Sequence, residues 1–254
     1  MAKHNCAICG VEVGLMSGQK LADGNYICRK TCGKKCFKTF DKVSAYLPMV
    51  TEHIAQIERD TQIWNEVLLP LMKSKNKDEK LKWFGTTGGE DLYVSPSTGL
   101  MALVETHYKI FIFGKYQKAC VYRIGDLARY DYVTEEVKNS EGKTEQKHYC
   151  GMVFDNTAGL AAFNLPLRGS KDYEALEKYF NELFGIQKTL RNSLNNAKRQ
   201  LNAVKSVMGA VKAAAQGNLD EAAAAQAVGD VDAYVRGDRT ELLAKADAIL
   251  AKYR

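Results

Sequence analysis

The sequence predicts an α+β chain with three parts: a small cysteine-stapled module, an antiparallel β domain capped by a helix, and a C-terminal helical arm. Three observations predict this. Five of the seven cysteines lie between Cys6 and Cys36. Short β-branched and aromatic runs separated by turn residues fill residues 81–167. Beyond residue 186, apolar residues recur every seven positions.

In the first part, Cys6-Ala7-Ile8-Cys9-Gly10 is a C-x-x-C knuckle, and eighteen residues separate Cys9 from Cys28. Two such cysteines aim both thiolates at one centre, and a second pair returned by a hairpin completes a tetrahedral Zn²⁺ site. Gly10, Gly14, Gly18 and Gly24 supply the turns that the return requires. Cys6, Cys9 and Cys28 are therefore expected ligands. The fourth is Cys32 or Cys36, which lie one helical turn apart on a helix opening after Cys28. The spacing of Cys32 is nearer to a knuckle and is favoured; His4 is a more distant competitor. A segment of about 40 residues buries too little apolar surface to fold without a staple. Disulfides would need an oxidising compartment, and Lys3-His4-Asn5 runs into Cys6 with no apolar leader, so structural Zn²⁺ in the cytoplasm is expected.

The run C-A-I-C-G-V-E-V-G-L followed by K-L-A-D-G-N-Y-I-C resembles a short bacterial four-cysteine, zinc-ribbon-like domain of unknown function. That family shows C-x-x-C-G-x-x-(I/V)-G-L and then K-L-x-D-G-x-(I/V)-C, and its members often carry a PH-like β domain downstream. The resemblance covers about the first forty residues. It departs at the second pair, where Thr31 stands in place of the family's last cysteine. The family brings no established activity.

The module is assigned residues 1–46, ending in a short basic helix over Phe37–Tyr46. A connecting helix is expected over 47–72. Val50, Ile54, Ile57, Thr61, Trp64 and Leu68 form its apolar face, Glu52, Glu58, Arg59 and Asp60 its polar one, and Leu69-Pro70 its end. The charged stretch Lys73–Lys80 is the clearest boundary. The β domain is placed at 79–185, with strands at Lys82–Phe84 with Asp91–Val94, Leu100–Glu105, Tyr108–Phe113, Ala119–Ile124, Ala128–Val137, Lys147–Asp155 and Gly159–Leu167. Spacing this close excludes crossover helices, so the sheet should be antiparallel. A helix N-capped by Ser170 follows, with Tyr173, Leu176, Phe180, Leu183 and Phe184 on one stripe. Seven strands and a terminal helix are similar to a pleckstrin-homology-type barrel, in which that helix plugs an open end. The cations Lys115, Lys118, Lys138, Lys143 and Lys147 alternate with glutamates and read as a solvated rim. Cys120 and Cys150 lie in apolar strand patterns, as core thiols do.

Residues 186–254 are read as a helical hairpin or arm. Leu194, Leu201, Met208 and Ala215 repeat every seven residues, as do Leu190, Ala197, Val204 and Val211, a coiled-coil seam that would allow self-association through 186–215. Arg191, Lys198, Lys205 and Lys212 form a basic row beside it, within a span, 185–217, that holds no acid. The row either binds a partner or packs on the acidic segment Leu219–Leu250.

No apolar run reaches the eighteen residues a membrane span needs. Gly142-Lys143-Thr144 is not a P-loop, because the first glycine position is Val137. None of the four histidines forms an H-E-x-x-H. The function expected is a zinc-stabilised, non-enzymatic adaptor with a protein partner. One alternative is a nucleic-acid or ribosome-associated protein using Lys20, Arg29, Lys30, Lys34, Lys35 and Lys38. The other is a peripheral membrane protein whose basic helix binds anionic lipid.

Overall fold

The computed structural model describes residues 3–109, 114–139, 142–157, 160–186 and 236–253. Two hairpins open the chain: β1 (His4–Asn5) pairs antiparallel with β2 (Glu12–Val13), and β3 (Gly18–Lys20) with β4 (Tyr26–Cys28). One helical turn, α1 (Cys32–Lys35), follows, and Cys36 leaves it in extended backbone. The basic helix expected over Phe37–Tyr46 does not form, and that stretch is a succession of bends. Its backbone N–H groups are taken by side chains instead: Asp41 Oδ1 accepts from Val43 and Ser44 at 2.9 and 3.4 Å, and His53 Nε2 from Phe37 at 3.2 Å.

Helix α2 (Leu47–Ile63) starts with Pro48 in its first turn, and Asp23 Oδ2 from the cysteine module accepts the Leu47 N–H at 2.8 Å. The helix does not stop at Pro70. It widens into a π-helical turn, Trp64–Leu68, and continues as α3 (Leu69–Leu71). Pro70 has no N–H and its ring crowds the carbonyl four residues back; the wider turn, in which Leu69 N–H reaches Trp64 O, absorbs both.

Strands β5 (Lys82–Phe84), β6 (Glu90–Ser95), β7 (Leu100–Lys109) and β8 (Gly114–Arg123) form an antiparallel sheet in chain order. A 3₁₀ turn, Ile124–Asp126, leads to a second sheet of β9 (Leu127–Lys138), β10 (Thr144–Phe154) and β11 (Ala162–Leu167). Among the described residues no strand pairing closes the two sheets into a barrel. The break expected after Glu105 is absent. Strand β7 runs on to Lys109, pairing His107 with Tyr116, because its polar end still has a full ladder partner in β8.

The run Leu100-Met101-Ala102-Leu103-Val104 is buried at every position because both faces of the four-stranded sheet are covered. Met101 and Leu103 face a core shared with the second sheet, with helix α4 (Ser170–Leu183), and with the cysteine module. Leu100, Ala102 and Val104 face a second core built from Ile63, Trp64, Leu68 and Ala246. Helix α4 buries Leu176 and Phe180, with Phe184 just beyond its end. Ser170 is its first residue and not its cap; Asp172 ties the entry by accepting the Arg168 N–H at 3.1 Å.

Helix α5 (Thr240–Leu250) packs across the start of β7 and the 3₁₀ turn. Arg123 joins Asp126 on the turn to Asp247 on α5, and Tyr253 Oη donates to Glu66 at 2.9 Å. The heptad seam and Arg191, Lys198, Lys205 and Lys212 lie outside the described residues. No helix among the described residues is long and apolar enough to cross a membrane.

One polar residue assigned to the solvent face of α2 is buried. Asp60 is 1% exposed, and its Oδ2 accepts the Val121 N–H at 2.9 Å while Thr61 Oγ1 accepts that of Ala119 at 3.1 Å. The free edge of β8 needs acceptors, and α2 lies along it to provide them.

Candidate metal centre

The centre is assembled from both hairpins. In the first, Cys6 N–H bonds Val11 O and Gly10 N–H bonds Cys6 O, each at 2.8 Å, with Gly10 in the left-handed region at φ 75°. The tight turn brings Cys9 back beside Cys6. Ala7 N–H bonds Tyr26 O at 2.8 Å and fastens the first hairpin to the second. The second carries Cys28 at the end of β4, and α1 opens with Cys32, whose N–H points at Cys28 Sγ at 3.2 Å.

The sulfurs of Cys6, Cys9, Cys28 and Cys32 lie within 4.8 Å of one another. Cys6 and Cys32 are 3.8 Å apart, and Cys9 and Cys28 3.6 Å. A tetrahedral Zn²⁺ with Zn–S bonds of about 2.3 Å requires sulfur–sulfur edges of about 3.8 Å. A disulfide would need about 2.05 Å, and all seven cysteines are free. The donor set thus fits a divalent metal ion of thiolate preference.

The electrostatics agree. Burial pushes the Cys6 thiol up, but the N–H groups of Cys9, Cys28 and Ile8 outweigh it and bring it down to about 6. Burial likewise raises Cys28, against the N–H of Cys32, and the balance lies below the usual thiol range. Cys32 is pushed up by burial and by the three other sulfurs. Four thiolates this close repel one another unless a cation sits among them, and a bound metal deprotonates its thiols outright.

Cys36 is not among the four. Helix α1 ends at Lys35, so the next residue turns away instead of continuing the helical face, and Cys36 Sγ lies in the core 3.9 Å from Cys32 O. His4 stacks on Tyr26 with ring centres 3.8 Å apart, and it too is outside the group.

A second feature was not read from the sequence. Lys118, 9% exposed, is not part of a solvated rim. Its Nζ donates to Lys34 O at 3.2 Å and Cys36 O at 2.8 Å, and pairs with Glu105 Oε2 at 3.0 Å. The same Glu105 oxygen accepts the Lys38 N–H at 3.2 Å. The β sheet therefore holds the carbonyl end of α1, the turn that carries Cys32. A signal was present: Glu105 and Lys118 occupy inward positions of their strands, in register with Leu103 and Cys120. His53, fully buried, stacks on Phe40 at 4.1 Å, and burial depresses its pKa to about 4.

Lys20, Arg29, Lys30, Lys34, Lys35 and Lys38 are all exposed on the cysteine module. Lys35 pairs with Glu58 of α2 at 2.8 Å.

Residues 4–49 match a family described as "Domain of unknown function (DUF4428)". No curated protein and no solved structure matches the chain.

Proposed function

We propose that the chain is a zinc-stabilised, non-enzymatic binding protein of the cytoplasm, an adaptor whose cysteine module and β domain are recognition modules. The observation that carries this is the donor count: four sulfurs of this chain lie within 4.8 Å of one another, enough to complete a tetrahedral metal site with no position left for a substrate. Free thiols in the centre suit a reducing compartment. A four-stranded and a three-stranded antiparallel sheet, followed by α4 packed on the second, support a PH-type reading of the β domain. In this reading the basic row Arg191, Lys198, Lys205 and Lys212 offers a further surface, and the heptad seam a route to self-association.

The exposed cations of the cysteine module favour a second reading, contact with nucleic acid. An affinity capture from lysate under reducing conditions, with and without nuclease, separates the two. Partners that survive nuclease support the adaptor; capture that nuclease abolishes, with steep salt dependence, supports the nucleic-acid reading.

A further inference from the structure

The turn between the two hairpins of the cysteine module carries two large apolar side chains into solvent. Leu15 is 79% exposed and Met16 86%. The turn is not slack. Gly14 N–H bonds Ser17 Oγ at 2.9 Å, and Gly18 N–H bonds Gly14 O at 2.8 Å, so its base is closed beneath the two side chains.

Arg29 is fastened to that base. Its N–H bonds Ser17 O at 2.9 Å and its Nε donates to Gly18 O at 2.8 Å. Lys30 follows it, and Lys20 lies two residues along β3 from Gly18. All three cations are exposed, and among the described residues none of them forms an ion pair. The nearest acids in sequence are engaged elsewhere: Glu12 with Lys3 at 2.9 Å, and Asp23 with the N–H groups of Leu47 and Asn25.

We propose that the Leu15–Met16 turn inserts into the surface of an anionic lipid bilayer while Lys20, Arg29 and Lys30 meet the headgroups. The inference deepens the proposed function by naming the partner of the cysteine module, and it rests on that module being a metal-stapled recognition unit. A lipid surface fits better than a protein. A stable protein interface buries about 800 Å² on each side, which two side chains at a turn apex cannot supply. A bilayer accepts an exposed apolar apex without a shaped partner surface, and cations beside it add attraction that salt weakens.

The test is sedimentation of the zinc-loaded full chain with vesicles of phosphatidylcholine plus phosphatidylserine, and of phosphatidylcholine alone. It is run in a background with Arg191, Lys198, Lys205 and Lys212 changed to Gln, so that the basic row does not contribute. Sedimentation is expected with the anionic vesicles only. Leu15→Ser/Met16→Ser should weaken it at least about tenfold with metal content unchanged, since both side chains lose their apolar burial. Lys20→Gln/Lys30→Gln should weaken it and flatten its salt dependence. Equal binding to uncharged vesicles, no binding to either, or a serine variant that binds like its parent overturns the proposal. So does RNA binding that competes with vesicles and is indifferent to the serine changes. If the vesicle result goes against the proposal while a nuclease-resistant protein partner is still captured, the adaptor reading stands and the lipid contact alone falls.

Discussion

Lys118 and Glu105 sit opposite each other across the β7–β8 ladder, and Nζ and Oε2 meet at 3.0 Å in the seam between sheet and cysteine module. Both are buried, and between them they bind three backbone groups of residues 34–38.

Removing one partner of such a pair strands the other. Lys118→Met should destabilise the chain by about 3–5 kcal/mol, because buried Glu105 loses the cation beside it and the carbonyls of Lys34 and Cys36 lose their side-chain donor. Lys118→Met/Glu105→Gln should cost less than the two single changes added together. Denaturant unfolding of the four proteins measures the coupling, and strict additivity would show that the pair does not act as a unit.

Metal analysis of the purified chain should find one Zn²⁺ per molecule. Cys6→Ser, Cys28→Ser and Cys32→Ser should each lose it, whereas Cys36→Ser should retain it, because Cys36 Sγ lies outside the group of four. Metal loss from the Cys36 variant and retention in the Cys32 variant would reverse the assignment.

His53 and Asp60, both on α2, make opposite contributions to stability against pH. Burial depresses His53 from 6.5 to about 4, so the unfolded chain holds a proton that the folded chain lacks, and this contribution to stability grows as pH rises through that window. Burial raises Asp60 from 3.8 to about 6, against the N–H of Val121 and the charge of Arg59. There the folded chain holds the extra proton, and stability falls as pH rises from about 4 to 6. Relative to the parent, His53→Gln should lose stability with rising pH across that range, by up to about 1.4 kcal/mol per unit. Asp60→Asn should gain it by a similar slope. Thermal unfolding of the three proteins between those pH values shows the two signs, and parallel curves would refute both assignments.

Gly99 is the seat of helix α5. It has φ +70°, and a Cβ there would collide with Leu242 O. Gly99→Ala should cost about 1–3 kcal/mol through the left-handed backbone alone, with the collision added. It should also loosen α5, so that limited proteolysis cuts near residue 236 faster than in the parent. Unchanged cleavage would mean that α5 is held by other contacts, such as Arg123–Asp247.

The four-cysteine cluster was legible in the sequence because its geometry is local. A C-x-x-C knuckle and a hairpin return fix three sulfurs, and the choice between Cys32 and Cys36 turns only on where a four-residue helix stops. The β6–β7 and β9–β10 hairpins were legible from turn signals at Ser95–Gly99 and Asn139–Gly142, whereas the break expected after Glu105 falls inside β7. Long-range roles were not. Asp60 reads as a surface acid until the edge of β8 is laid against it, and Lys118 reads as a loop cation until α1 presents its carbonyls. Neither residue differs in type from its solvated neighbours. What changes its meaning is a backbone group from 61 or 82 positions away, which no periodicity encodes.

The side-chain acceptors that α2 lays along β8 also guard against misassembly. An uncovered outer strand invites a strand from another molecule to dock and template growth. Asp60 and Thr61 occupy the amides of Val121 and Ala119, which such an intruder would use. Helix α2 is thus a gatekeeper as well as a connector, and a chain synthesised without it would present a sticky border to its own copies.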